Sequence, residues 1–198
     1  TNNQHGSIIT NVKSIINEDV SVLNNQIYNV LISSGCIDTK TLCLIAEQYA
    51  WTLYIDILII KQDGNTLSYI SLATYMALKT CFLPAITVVQ GERADLKELE
   101  LDSSADDIQL DITNIPIICS ISKIGQKHFI IDATAQEEVC MSYQYIIAIN
   151  QSKEVCFMDK IGIGALSIKS MEEMIQYAQQ QCNELYEKLL HTNKMIIN

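Results

Sequence analysis

Thr41–Pro84, TLCLIAEQYAWTLYIDILIIKQDGNTLSYISLATYMALKTCFLP, holds two apolar stretches, a tight glycine turn and a helical stripe, in that order. Thr41–Glu47 reads as a short strand. Trp51–Lys61 alternates, with Trp51, Leu53, Ile55, Ile57 and Ile59 on one face. Thr52, Tyr54, Asp56, Leu58 and Ile60 take the other. Both faces are mostly apolar, which predicts a central strand covered on both sides. Asp56 is then a half-buried carboxylate that accepts hydrogen bonds from nearby donors, with a catalytic role as the alternative. Past Asp63-Gly64-Asn65 a helix runs from about Thr66 to Thr80. Leu67, Ile70, Thr74, Ala77, Leu78 and Cys81 form its stripe, and Pro84 marks its end.

Outward from this stretch the pattern divides the chain into four. Residues 1–18 read as a polar lead-in. Residues 19–90 are a first half, opening with a helix capped by Asp19. Val20, Leu23, Ile27, Val30 and Leu31 share a face of that helix, and Ser33-Ser34-Gly35 ends it. Residues 91–107, GERADLKELELDSSADD, read as an acidic, solvated connection. Residues 108–198 are a second half that begins with strands: Ile108–Ile112, Pro116–Lys123, His128–Asp132, Tyr143–Asn150 and Val155–Asp159. Gly125 suits a hairpin turn. A long helix then starts, with Ser170 and Glu173 spaced as a capping box. Its stripe is Met171, Met174, Ile175, Ala178, Cys182, Leu185 and Leu189, a core-facing pattern in which a methionine-lined partner groove is the lesser alternative. The class implied is α+β.

Composition narrows the function classes. The chain has 198 residues, 48% hydrophobic and 18% charged, which is a globular profile. A formal net charge of −10 argues against autonomous binding to a nucleic-acid backbone, which needs clustered Lys and Arg. It leaves open a place in an assembly whose other members supply positive charge. Seven cysteines, at 36, 43, 81, 119, 140, 156 and 182, form no C-x-x-C pair, so a zinc site is not expected. Buried reduced thiols are. No window approaches the roughly 18 apolar residues of a membrane span. TNNQHGSIITN has neither the basic start nor the apolar core of a signal peptide.

Candidate chemistry is sparse. His5, His128 and His191 are scattered, and His128 reads as a structural histidine of a strand. No Ser-His-Asp or Cys-His pairing follows from spacing. Asp132 with Glu137-Glu138 is the densest acidic cluster in an apolar stretch. Such a cluster suits Mg²⁺ binding or acid–base work. The preferred reading is a capped turn whose carboxylates satisfy backbone amides. Gly162-Ile163-Gly164 lacks a third glycine and a helix directly behind it, so it is no nucleotide loop.

Several blocks together resemble one family. They are Ile37–Cys43, Trp51–Ile60, Asp63–Asn65, IPIICSISKIGQKHFIIDATAQEE (Ile115–Glu138) and VCFMDKIGIGALS (Val155–Ser167). The chain is similar to the RNase PH-type ring subunits of the RNA exosome, in order and over most of its length. Within that last-but-one block, KIGQKHFIIDATAQEE (Lys123–Glu138) favours one of the non-catalytic sister subunits. The resemblance implies an RNase PH-like domain of two sheet-and-helix layers. It implies a ring in which this subunit pairs first with an RNase PH-like neighbour, with cap subunits above and RNA passing through the channel. It implies support of rRNA maturation and mRNA decay in nucleus, nucleolus and cytoplasm, with no cofactor and no membrane.

The same resemblance locates a degenerate site at Asp63, Gly64, Asn65, Thr66, Leu67 and Asp132. An active member carries a DGGTRT-like turn, so Leu67 stands where an arginine would hold phosphate, and leucine cannot donate to an oxyanion. Asp132 matches the first acidic position of active subunits. The second falls near Met141–Gln144, where there is no carboxylate. No catalytic or metal-binding residue is therefore expected. The rival is a phosphorolytic or metal-dependent ribonuclease that uses Asp132. The family's domain also begins with further strands ahead of the helix at Asp19. Hence the first sheet is expected to be truncated, with open edges and apolar surface, and an isolated copy to self-associate or need its neighbour.

Overall fold

A computed structural model describes residues 5–15, 20–33, 35–90, 97–125 and 128–196. The chain opens with β1 (Ser7–Ser14) and α1 (Ser21–Tyr28), which runs into a π-helical turn at Asn29–Ser33. β2 (Cys43–Ile45), β3 (Tyr49–Ala50) and β4 (Thr52–Ile59) lead to α2 (Thr66–Lys79). Short strands follow: β5 (Phe82–Leu83), β6 (Ile86–Gln90), β7 (Lys97–Leu101) and β8 (Ile108–Gln109). The second half contains β9 (Ile117–Ile124), β10 (His128–Ile131), α3 (Ala135–Val139), β11 (Met141–Ile149), β12 (Val155–Gly162) and α4 (Ile168–Ile196).

The centre is an antiparallel sheet in the order β10-β9-β11-β12. β9 and β11 are buried on both faces because helices cover both. Alternation sends Cys119 to one face and Ile118 and Ser120 to the other. α4 covers the first: Cys182 meets Cys119, and the buried Tyr186 hydroxyl donates to the carbonyls of Ile115 and Ile149, 3.0 Å each. α2 covers the second: the Ile118 amide donates to Ser71 Oγ at 3.0 Å, and Ser68 Oγ donates to Ser120 Oγ at 3.0 Å. Tyr75 of α2 and Tyr186 of α4 meet edge to face at 5.3 Å. Beyond α1 and α2 lies a parallel pair, β1 with β4, whose inward Ile8, Val12, Ile55 and Ile59 join the same core. The α+β expectation holds, and four of the five strands read in the second half form the central sheet.

Several local expectations are corrected. Residues 1–18 are not merely a polar lead-in, because Ile8, Thr10 and Val12 alternate inward from β1 and are buried. β4 is not covered on both sides: Tyr54 is 67% and Leu58 59% exposed, and β1 is its single partner among the described residues. Asp56 is consequently exposed, and it accepts from Asn11 Nδ2 at 3.0 Å. Ala77 faces solvent, since the buried stripe of α2 passes through Tyr75 instead. Part of the 91–107 connection is strand: β7 pairs antiparallel with β6. Ile108–Ile112 shrinks to β8, which pairs with β5. Asp19 lies outside the described residues. Ser167, not Ser170, caps α4, its hydroxyl accepting from the Ser170 amide at 3.1 Å. None of the seven cysteines is in a disulfide; Cys36, Cys119 and Cys182 are buried, Cys43, Cys81 and Cys156 half-buried, and Cys140 exposed. Burial and the adjoining Cys36 push the Cys156 thiol up to about 12. No helix of the described residues is long and apolar enough to cross a membrane.

Candidate functional site

The turn between β4 and α2 docks onto the loop between β10 and α3. Gly64 has φ +88°, a region that L side chains rarely adopt. A Cβ there would collide with the carbonyl of Ala133, and would lie 2.5 Å from Thr134 C and 2.6 Å from Ala135 N. The Ala135 amide donates to Asp63 O at 3.2 Å. Asn65 follows at φ +47°, and Asp132 opposite it has φ +59°; Asn and Asp tolerate this conformation better than most residues. Two left-handed turns thus meet face to face.

Asn65 is the hub. Its side-chain Nδ2 donates to Asp132 Oδ1 at 3.0 Å, and its backbone amide donates to Glu138 Oε1 at 2.9 Å. The Tyr69 hydroxyl donates to both Asp132 oxygens, at 3.0 and 3.1 Å. The ionised acceptor and burial together raise the Tyr69 phenol above its ordinary value. Gln144 Nε2 donates to Ser122 Oγ at 3.2 Å and reaches Glu138 Oε1 at 3.4 Å. These groups surround the first turn of α2, where free amides and the helix dipole would otherwise attract an anion. Two of the chain's own carboxylates already stand there.

Of the residues read from the sequence, Asp63, Gly64, Asn65 and Asp132 come together. Thr66 begins α2. Leu67 turns into the core and is 4% exposed. The acidic pair divides. Glu137 completes a capping box with Thr134, whose amide and hydroxyl donate to it at 2.8 and 2.9 Å and hold its carboxyl below the usual range. Glu138, about 100° further round the helix, points instead to Asn65. The reading of a capped turn whose carboxylates satisfy backbone amides therefore holds for both, Glu137 within its own turn and Glu138 across to Asn65, but it does not reach Tyr69 or Gln144. His128 is exposed on β10, His5 contacts Thr39, and His191 lies on α4. Gly162 and Gly164 make room for Tyr143, since a Cβ at either would press on that residue. Among the described residues no three His, Cys, Asp or Glu side chains group as metal ligands.

Residues 114–181 match the 3' exoribonuclease family, domain 2, the C-terminal RNase PH domain. With the layered fold this defines the class: the chain carries an RNase PH-like domain. The chain is 32% identical over 151 residues to a Dictyostelium discoideum protein described as "Putative exosome complex exonuclease RRP42", a match that covers 76% of this chain and 46% of the relative. It is 28% identical over 179 residues to the exosome complex component RRP45 of Bos taurus, covering 88% of this chain and 40% of that one. The chain thus spans less than half the length of these relatives. A solved archaeal exosome core superposes with a TM-score of 0.72 at 24% identity, over 93% of this chain and 69% of that one, and supports the fold.

Proposed function

We propose that this chain is a non-catalytic, architectural subunit of an exosome-type ring. It would support 3'-to-5' RNA processing and degradation, including rRNA maturation and mRNA decay, by lining the RNA channel and docking partners. Those partners are an RNase PH-like ring neighbour and the cap subunits, in nucleus, nucleolus and cytoplasm. The observation that carries the reading is the packing at the start of α2. Leu67 is buried where the family resemblance expects a phosphate-holding arginine, and Glu138 accepts the Asn65 amide. A phosphate there would meet a hydrocarbon and two like charges, Asp132 and Glu138. The net charge of −10 favours RNA contact through an assembly rather than by the chain alone.

One observation favours the alternative, an active phosphorolytic or metal-dependent exoribonuclease: two carboxylates do converge on Asn65. Both are engaged by protein donors, which weighs against it. The architectural reading is tested by affinity purification of the tagged full-length protein from its own cells with mass spectrometry. Near-equal recovery of ring and cap subunits is the expected result. Recovery of the protein alone would overturn the assembly.

A further inference from the structure

A short row of side chains crosses the α4 face of the central sheet. Phe129 of β10, Lys123 of β9, Tyr143 of β11 and Gly162 of β12 stand opposite one another in register. Lys123 is four residues beyond Cys119 and so shares its face. Its Nζ lies 5.0 Å from the centre of the Phe129 ring and 5.6 Å from that of Tyr143. Lys160, two residues before Gly162, brings a second ammonium to 5.3 Å from the same Tyr143 centre, and its Nζ donates to Gly162 O at 2.9 Å. Tyr143 is a fixed platform: it is buried, and Gly162 and Gly164 close on it. Among the described residues neither ammonium is paired with a carboxylate. Two unneutralised cations thus share one aromatic ring on a chain whose net charge is −10. Both lysines are half-buried and keep part of their surface in solvent, Phe129 beside them is 39% exposed, and His128 is exposed.

We propose that this row holds single-stranded RNA, with Lys123 and Lys160 each taking a phosphate of the strand and Phe129 stacking a base. The ring quadrupole holds each ammonium from one side, and the remaining N–H donors of each are free for an anion. A cation beside an open aromatic ring answers both parts of a nucleotide, the phosphate and the flat base. An acidic peptide answers the ammonium groups but leaves Phe129 without a base to stack on, and a duplex keeps its bases inside. Two phosphate contacts bind weakly by themselves, which agrees with the acidic balance of the whole chain. The inference rests on the proposed place along an RNA path, and adds which residues of this chain meet the strand.

The test is an amide-resolved NMR titration of the full chain with a uridine octamer at several salt concentrations, beside a glutamate octamer and a self-complementary RNA duplex. Saturable shifts at Lys123, His128, Phe129 and Tyr143 are expected with the uridine octamer, at about millimolar affinity in low salt. Two phosphate contacts to a single strand give a slope of log K against log salt of about −1.4, and Lys123→Gln or Lys160→Gln should bring it to about −0.7. Phe129→Ala should weaken binding by about tenfold. Lys40→Gln, at an exposed lysine of the loop before β2, should change neither. Should a lysine variant not fold, the wild-type salt slope and Phe129→Ala carry the test. No saturable shift along the row, binding unchanged by Phe129→Ala, or equal affinity for the glutamate octamer or the duplex overturns the single-stranded RNA site and leaves the assembly reading standing. Octamer binding here with no ring subunits recovered on co-purification keeps the site and overturns the assembly.

Discussion

Gly64→Ala probes the contact that joins the two halves of the site. The new Cβ would lie 2.5 Å from Thr134 C and 2.6 Å from Ala135 N, both rigid backbone atoms. Holding alanine at positive φ costs about 1–2 kcal/mol. The collision must also move the turn off the Asp132–Ala135 loop. That movement breaks at least one of the Asn65 bonds to Asp132 and Glu138, and a hydrogen bond to a charged group contributes about 1.5–3 kcal/mol. The total is about 2.5–5 kcal/mol. Gly35→Ala is the internal control: its φ is +69°, but none of the described residues lies within 4 Å of its Cβ, so only the conformational cost applies. Urea unfolding followed by circular dichroism separates the two variants, because a gap of about 1.5–3 kcal/mol moves the midpoint by about 0.5 M or more. Equal destabilisation by Gly64→Ala and Gly35→Ala would refute the docking argument.

Three further outcomes follow from named contacts. Leu67→Arg alone should not create phosphate-dependent RNA shortening, since Glu138 would pair with the new guanidinium; a release assay for nucleoside diphosphates checks this. Ser167→Ala should destabilise the protein by about 1 kcal/mol as a lost helix cap, and Ser170→Ala by less; the reverse order in thermal melts would restore Ser170 as the cap. Glu137 is held below its ordinary carboxylate range by Thr134, so its contribution is complete above that range and fades as pH falls through the lowered folded value. The stability gap between wild type and Glu137→Ala should therefore close on acidification, and a gap unchanged from neutral to acid pH would contradict the capping box.

The second half was legible because its pattern and its environment agree. β9 and β11 are largely apolar runs, and helices do cover both their faces. β4 carries the same signal but leaves Tyr54 and Leu58 in solvent, because period-two alternation reports composition, not how many layers are present to cover it. β1 was missed although Ile8, Thr10 and Val12 alternate. Polar neighbours masked a short parallel strand whose partner lies 45 residues away in register (Ser7 with Thr52). At the site, turn chemistry and the family resemblance located Gly64, Asn65 and Asp132. Glu138 could not be separated from Glu137 by composition, since one residue of helical rotation decides which caps α3 and which enters the interior. A signal was nevertheless there: Thr134 and Glu137 have capping-box spacing, which commits Glu137 and frees Glu138 for another partner.

The most direct test is incubation of the purified full-length protein with single-stranded RNA, inorganic phosphate and Mg²⁺, reading out nucleoside diphosphates and shortened RNA. The account predicts no phosphate-dependent product above that of an Asp132→Asn variant. Phosphate-dependent shortening that Asp132→Asn abolishes would contradict it and make this chain an enzyme.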